Sequence, residues 1–181
     1  MSSELTLVKP VAFPAQSAVA TLYQTTNLAD AFAVQLPLGA STDPDVLWRF
    51  LIAQQPAWIG WLTNVRDAIV AGFGLKTARH LATLANEASA DRIGIFKVYG
   101  RTDNEIVLGE DDKHLDFRLS VLRTPGSSPT LGGRLTVSTV VRCNNRLGRA
   151  YLFVIAPFHR LVVQASLRRA ARMGWPKAGA R

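Results

Sequence analysis

Between residues 115 and 121 apolar and polar side chains alternate strictly. Leu115, Phe117, Leu119 and Val121 fall on one side, Asp116, Arg118 and Ser120 on the other. A period of two predicts a half-buried strand. Residues 134–142 read as a second long strand, rich in β-branched Thr136, Val137, Thr139, Val140 and Val141. Shorter strands are expected at 31–36, 93–99 and 105–108. The last four strands follow one another through short connections. That requires antiparallel pairing, because parallel neighbours need long crossovers.

Elsewhere the period lengthens to that of a helix. Asp43 can cap, Pro44 suits the first helical position and Asp45 favours the positive end of the dipole. Val46, Leu47, Phe50 and Leu51 then share a face. A second helix is expected from Pro56, with Trp58, Trp61, Leu62, Val65 and Ile69 at helical spacing and a stop at Gly72 and Gly74. Residues 78–88 are weakly helical.

The longest helix is expected over 147–172, capped by Asn144 or Asn145. Leu147, Tyr151, Val154, Ile155, Phe158, Leu161, Val162 and Ala165 lie within about 120° of arc and form the expected core stripe. Pro157 should kink this helix near Phe153. The opposite side carries Leu152, Phe153, Ala156, Val163 and Leu167, too many apolar groups for a bare surface. The N-terminal extension, a second subunit in a homodimer, or a membrane surface would have to cover it.

The order is strand, two or three short helices, a meander, then a long helix. It defines an α+β fold: a curved antiparallel sheet with helices on one side and the long C-terminal helix across it. The domain is expected to span 28–173. Residues 1–27, interrupted by Pro10 and Pro14, form an N-terminal extension, and 174–181 a flexible tail.

Composition adds limits. Of 181 residues 48% are hydrophobic, enough for a real core. Cys143 is the one cysteine, so no disulfide can form within the chain, which fits a reducing, cytoplasmic setting. The most apolar run, 150–158, is far short of the ~20 residues of a spanning helix. The net charge of +8 is unevenly spread. Residues 1–116 hold nine Lys/Arg and 13 Asp/Glu, whereas 117–181 hold 12 Lys/Arg and no acid. Either an anionic partner meets the basic part, or the two parts neutralise each other in the fold.

The second reading has specific candidates. Arg146 and Arg149 sit in the first turn of the long helix, where a cation opposes the dipole. Asp111, Asp112 and Asp116 could join them in a carboxylate–arginine network. Alternatively Arg118, Arg146 and Arg149 could hold the anionic head of a ligand. Phe50, Trp58, Trp61, Phe117, Leu119, Tyr151, Ile155 and Phe158 read equally as packed core or as the wall of a cavity beneath the helix. Glu110, Asp111, Asp112 and His114 form the densest polar segment. Zinc spacing is absent, and no metal or cofactor is expected. No nucleophile motif or phosphate loop occurs, so catalysis is not the expected role. Arg168, Arg169, Arg172, Lys177 and Arg181 come without a nucleic-acid-binding motif.

Several spaced segments carry a family likeness. They are Phe73-Gly74-Leu75-Lys76-Thr77, Leu108-Gly109-Glu110-Asp111-Asp112-Lys113-His114-Leu115-Asp116-Phe117-Arg118, Asn145-Arg146-Leu147-Gly148-Arg149-Ala150-Tyr151 and Pro157-Phe158-His159-Arg160. Over about residues 30–172 they resemble a bacterial family of unknown function, domain-of-unknown-function family 2867. The resemblance implies a relative of the START-like (SRPBCC) helix-grip superfamily, whose members commonly bind apolar molecules or lipids between sheet and long helix. Five strands are counted above, whereas a full helix-grip has seven, so five to seven are expected. The expected function is non-catalytic binding of an apolar or amphiphilic small molecule or lipid. The alternative is peripheral association of the basic helix with an anionic membrane or protein partner. A START-like cyclase or hydrolase is the third reading.

Overall fold

The computed structural model describes residues 5–60, 92–126 and 131–179. Trp61, the remainder of the second expected helix, residues 78–88 and the Phe73–Thr77 motif segment lie outside them. Among the described residues, seven strands form one antiparallel sheet. In chain order they are β1 (Lys9–Pro10), β2 (Leu28–Pro37), β3 (Arg92–Ile93), β4 (Phe96–Arg101), β5 (Glu105–Asp111), β6 (Leu115–Thr124) and β7 (Leu131–Cys143). Across the sheet they run β1-β2-β7-β6-β5-β4-β3. Helix α1 (Pro44–Ala53) follows β2, and α2 (Arg146–Met173) closes the chain. The expected α+β architecture holds. The two strands missing from the sequence count are the two-residue β1 and β3, too short to show a period.

Local signals account for the helix starts. Asp43 accepts from the Asp45 amide, and Pro44 opens α1. Asn145 accepts from the Gly148 amide and caps α2. A Cβ on Gly148 would meet the His114 carbonyl oxygen, so the glycine lets the helix start press against the β5–β6 turn. That turn is tied to the helix start by Asn144, which donates to the Asp112 carbonyl, and Asn145, which donates to the Lys113 carbonyl.

The core lies between the sheet and helices α1 and α2. Phe32, Val34 and Leu36 of β2, Leu108 of β5, Val121 of β6 and Leu135 of β7 meet Leu47 of α1 and Leu167 of α2. The face that α2 buries is not the expected stripe. Leu152, Val163, Leu167 and Ala170 point inward with Gly148 and Ser166. Phe153 is 84% exposed, Leu161 56%, Val154 52% and Phe158 44%. The buried side is built from smaller groups, which let the helix axis approach the strands closely. Periodicity weighs hydrophobicity rather than size, so it chose the richer side.

The second face of the sheet is also covered. Val19, with Phe13 and Tyr23, packs on Val107 and Val140. The expected half-buried β6 is therefore buried on both sides, and Ser120 is wholly enclosed. The N-terminal segment, expected as a loose extension, is a strap across this face. Its anchor is Glu105. This buried carboxylate accepts from the Ser17 hydroxyl at 2.6 Å, the Ala18 amide at 3.0 Å and the Ser120 hydroxyl. The expected flexible tail is integrated as well: Trp175 enters the core, and the Ser41 amide donates to the Pro176 carbonyl.

Replacing Glu105 by Ala should lower the unfolding free energy by about 3 kcal/mol, because two hydroxyls and an amide lose a buried acceptor. Urea denaturation measures this. A variant as stable as the wild type would show that the strap is held by other contacts.

Candidate functional site

Along the sheet the apolar layer beneath α2 divides in two. One cluster joins Leu28, Val141 and Leu152, with Leu115, Phe117 and Ala156 against it. The main cluster joins Phe32, Val137 and Val163 with the remainder of the core. At the level of the break each of the three facing elements carries a polar residue. Asp30 lies between Leu28 and Phe32 on β2, Thr139 between Val137 and Val141 on β7, and His159 between Ala156 and Val163 on α2. Asp30 and Thr139 are register partners, so their side chains emerge side by side toward the helix.

The geometry leaves these groups unsatisfied. His159 Nε2 stands 3.5 Å from Asp30 Oδ1, without a formed hydrogen bond. Arg160 Nε donates to Asp30 Oδ2 at 3.3 Å. Asp30 Oδ1, Thr139 Oγ1 and His159 Nε2 are all buried without a hydrogen-bond partner among the described residues. Each such atom costs about 1–3 kcal/mol when nothing satisfies it. Together they offer a carboxylate acceptor, an imidazole and a hydroxyl. That set can grip a small polar group, and its carboxylate–imidazole pair can move a proton.

The acid–arginine residues expected to form a network are arranged differently. Arg118 grips Asp111 with both terminal nitrogens, at 2.7 and 3.1 Å, and lies 3.5 Å over the centre of the Tyr99 ring. Tyr99 donates to the same carboxylate at 2.7 Å. Burial, then the bond to Asp111, pushes the Tyr99 phenol well above its ordinary pKa. Burial would raise the Asp111 pKa, but the hydrogen bonds from Arg118 and Tyr99 outweigh it and hold the carboxyl below the usual range. Asp116 pairs with Arg142 at 2.9 Å, and Glu110 with Arg92 at 2.8 Å.

These pairs correct two expectations. Arg118 points from the face opposite α2, so it cannot hold the head group of a ligand beneath the helix. Arg146 and Arg149 are exposed, and no acid pairs with either among the described residues. The helix start is joined to the turn through Asn144, Asn145 and His114 instead.

The expected cavity wall is dispersed. Leu119 is in the main core, Phe117 packs edge-on to Phe96, and Phe50 leans on Trp175. Tyr151 and Ile155 are half-buried, while Phe158 and Trp58 face outward. A cleft of about 320 Å³ opens elsewhere, at the sheet edge, between Leu7, Lys9, Val11, Gln35 and Arg134. It is lined by neither carboxylate nor imidazole. Asp30 and Thr139 were missed in the sequence, yet a signal existed. Leu28, Asp30, Phe32, Val34 and Leu36 alternate with the outward residues of β2, and Asp30 is the odd member of that inward set.

Fold and site together define the class: an α+β protein whose open antiparallel sheet carries a long closing helix over a polar break in an apolar layer. The chain belongs to the family described as "Protein of unknown function (DUF2867)", whose model matches residues 22–166. The matched stretch contains Asp30, Thr139, His159 and Arg160. No curated protein and no solved structure matches the chain.

Thr139→Val keeps the side-chain shape and removes the unpartnered hydroxyl, so it should raise stability by about 1–2 kcal/mol. A chemical-denaturation midpoint that falls instead would show that the hydroxyl has a partner within the fold. The Asp111 carboxyl yields a pH test. Its folded pKa lies below the unfolded value, so its stabilisation is present above the unfolded pKa and is lost as pH falls through the folded one. The melting-temperature gap between wild type and Asp111→Asn should be full at neutral pH and close in acid. A gap independent of pH would refute this role of the ionised pair.

Proposed function

We propose that the protein binds a small amphiphilic molecule at the seam between α2 and the sheet, without transforming it. One observation carries the reading: at one level beneath α2, three buried polar atoms, from β2, β7 and α2, have no hydrogen-bond partner among the described residues. A core selected only for stability would place apolar groups there. Sites built for a ligand hold such costs until the ligand satisfies them.

The chemistry selects the head group. A hydroxyl can donate to Asp30 Oδ1 and accept from Thr139 Oγ1 at once. A carboxylate would meet the Asp30 charge, only partly offset by Arg160. The apolar part of the molecule would lie along the Leu28–Val141–Leu152 or Phe32–Val137–Val163 side of the break. The element order, with helices after β2 and a meander before the closing helix, supports a helix-grip relationship with START-like proteins.

Dodecanol is a suitable probe, with dodecane and dodecanoic acid as comparisons. The alcohol should give a one-to-one adduct in native mass spectrometry and raise the melting temperature. Both effects should vanish in Asp30→Leu and weaken in Thr139→Val. The absence of an alcohol adduct, or an adduct indifferent to Asp30→Leu, would overturn the proposal.

A further inference from the structure

The outward side of α2 is an apolar surface bordered by arginines. Phe153, Val154, Phe158 and Leu161 are all exposed, with Ala150 and Pro157 among them. At 100° per residue these positions occupy one continuous sector, opposite the buried Leu152, Val163 and Leu167. Arg149 and Arg160 run along one flank of this sector. Arg168 and Arg172 continue its line toward the C-terminus, and all four are exposed. No acid occurs in α2 or anywhere after Asp116. The part of the N-terminal strap around Ser17 and Val19 is held on the other face of the sheet, and Val8 is packed in the main core.

We infer that this side of α2 docks the protein onto an anionic lipid surface, lying in the plane of the interface. The argument is one of charge and shape. A second copy placed on the same sector around a two-fold axis would bring two sets of arginines together with no acid between them. A bilayer rich in acidic lipid meets the arginines with the opposite charge, and its acyl region accepts the aromatic and aliphatic groups. Arginine stems can lie along the apolar surface while their guanidinium groups reach the phosphates. By length and composition alone α2 could cross a membrane. Its inward residues are part of the protein core, however, so a spanning helix would have to leave the sheet. Lying flat costs no core contact. The inference is independent of ligand binding at Asp30.

Flotation of the full chain with phosphatidylcholine vesicles, with and without phosphatidylserine, tests this. The chain should float with the serine-containing vesicles and much less with phosphatidylcholine alone, and added salt should release it. Phe153→Asp combined with Leu161→Asp should reduce partition at least about tenfold. Arg168→Ala and Arg172→Ala should each reduce it about fivefold. These side chains are exposed, so melting temperatures should stay near that of the wild type. Thr139→Val, which changes no charge and touches none of these arginines, should float like the wild type, which separates this inference from the ligand proposal.

Three results would overturn it. They are no flotation of the wild-type chain, flotation unchanged by the Phe153/Leu161 pair, and a dimer in sedimentation that the same pair dissolves. The last would assign the surface to a second copy.

Discussion

A sheet that is apolar on one face and crowded with small hydroxyls on the other has to be covered twice. Here the second cover is a strap of about twenty residues, and its position depends on one buried carboxylate. Glu105 collects the Ser17 and Ser120 hydroxyls and the Ala18 amide, all from groups that would be costly to bury alone. The strap then seals Ser120 and Ser138 from water and brings Val19 onto Val107 and Val140. Its placement decides the remainder of the architecture. A segment spent on the far face of the sheet is no longer free to shield the long helix.

The same helix shows how an apolar surplus is distributed. Its inward side uses Gly148, Ala170 and Ser166 beside Leu152, Val163 and Leu167, and so comes close to β2 and β7. Its outward side carries the bulkier Phe153, Phe158 and Leu161. An isolated soluble helix would reverse this. Burial is set by contact with the strands, and contact favours side chains that fit. Hydrophobic excess is left for the opposite side.

Much of the architecture was legible in the residues. Strict alternation in β6, β-branched density in β7 and the Asp43–Pro44 start of α1 each gave a local reason that packing reinforced. The orientation of α2 was not legible, because both sides are apolar and a period cannot rank them. The strap was hidden for a related reason. Its anchor joins Ser17 to Glu105 across 88 positions, and nothing in the local pattern of either residue reports the other. The acidic segment misled in the opposite direction. Asp111 and Asp116 do meet arginines, but on neighbouring strands, where register brings them together more cheaply than a helix terminus could.

The polar break beneath α2 follows from this contrast. Across the sheet the buried Glu105 is satisfied by three donors, and the exposed Asp111 by a two-pronged guanidinium and a phenol. On the helix side a carboxylate, a hydroxyl and an imidazole lie together with those demands unmet. Orphaned hydroxyls occur on the strap face too, at Ser138 and Tyr23, but beneath α2 a carboxylate oxygen and an imidazole nitrogen are orphaned as well, and that needs a cause. Structural necessity does not supply it, since Val or Leu at these positions would continue the apolar layer that stands on either side. A molecule able to donate to Asp30 and accept from Thr139 would supply it. On the inferred lipid surface, the apolar, arginine-edged side of α2 would face the phase in which such molecules dissolve.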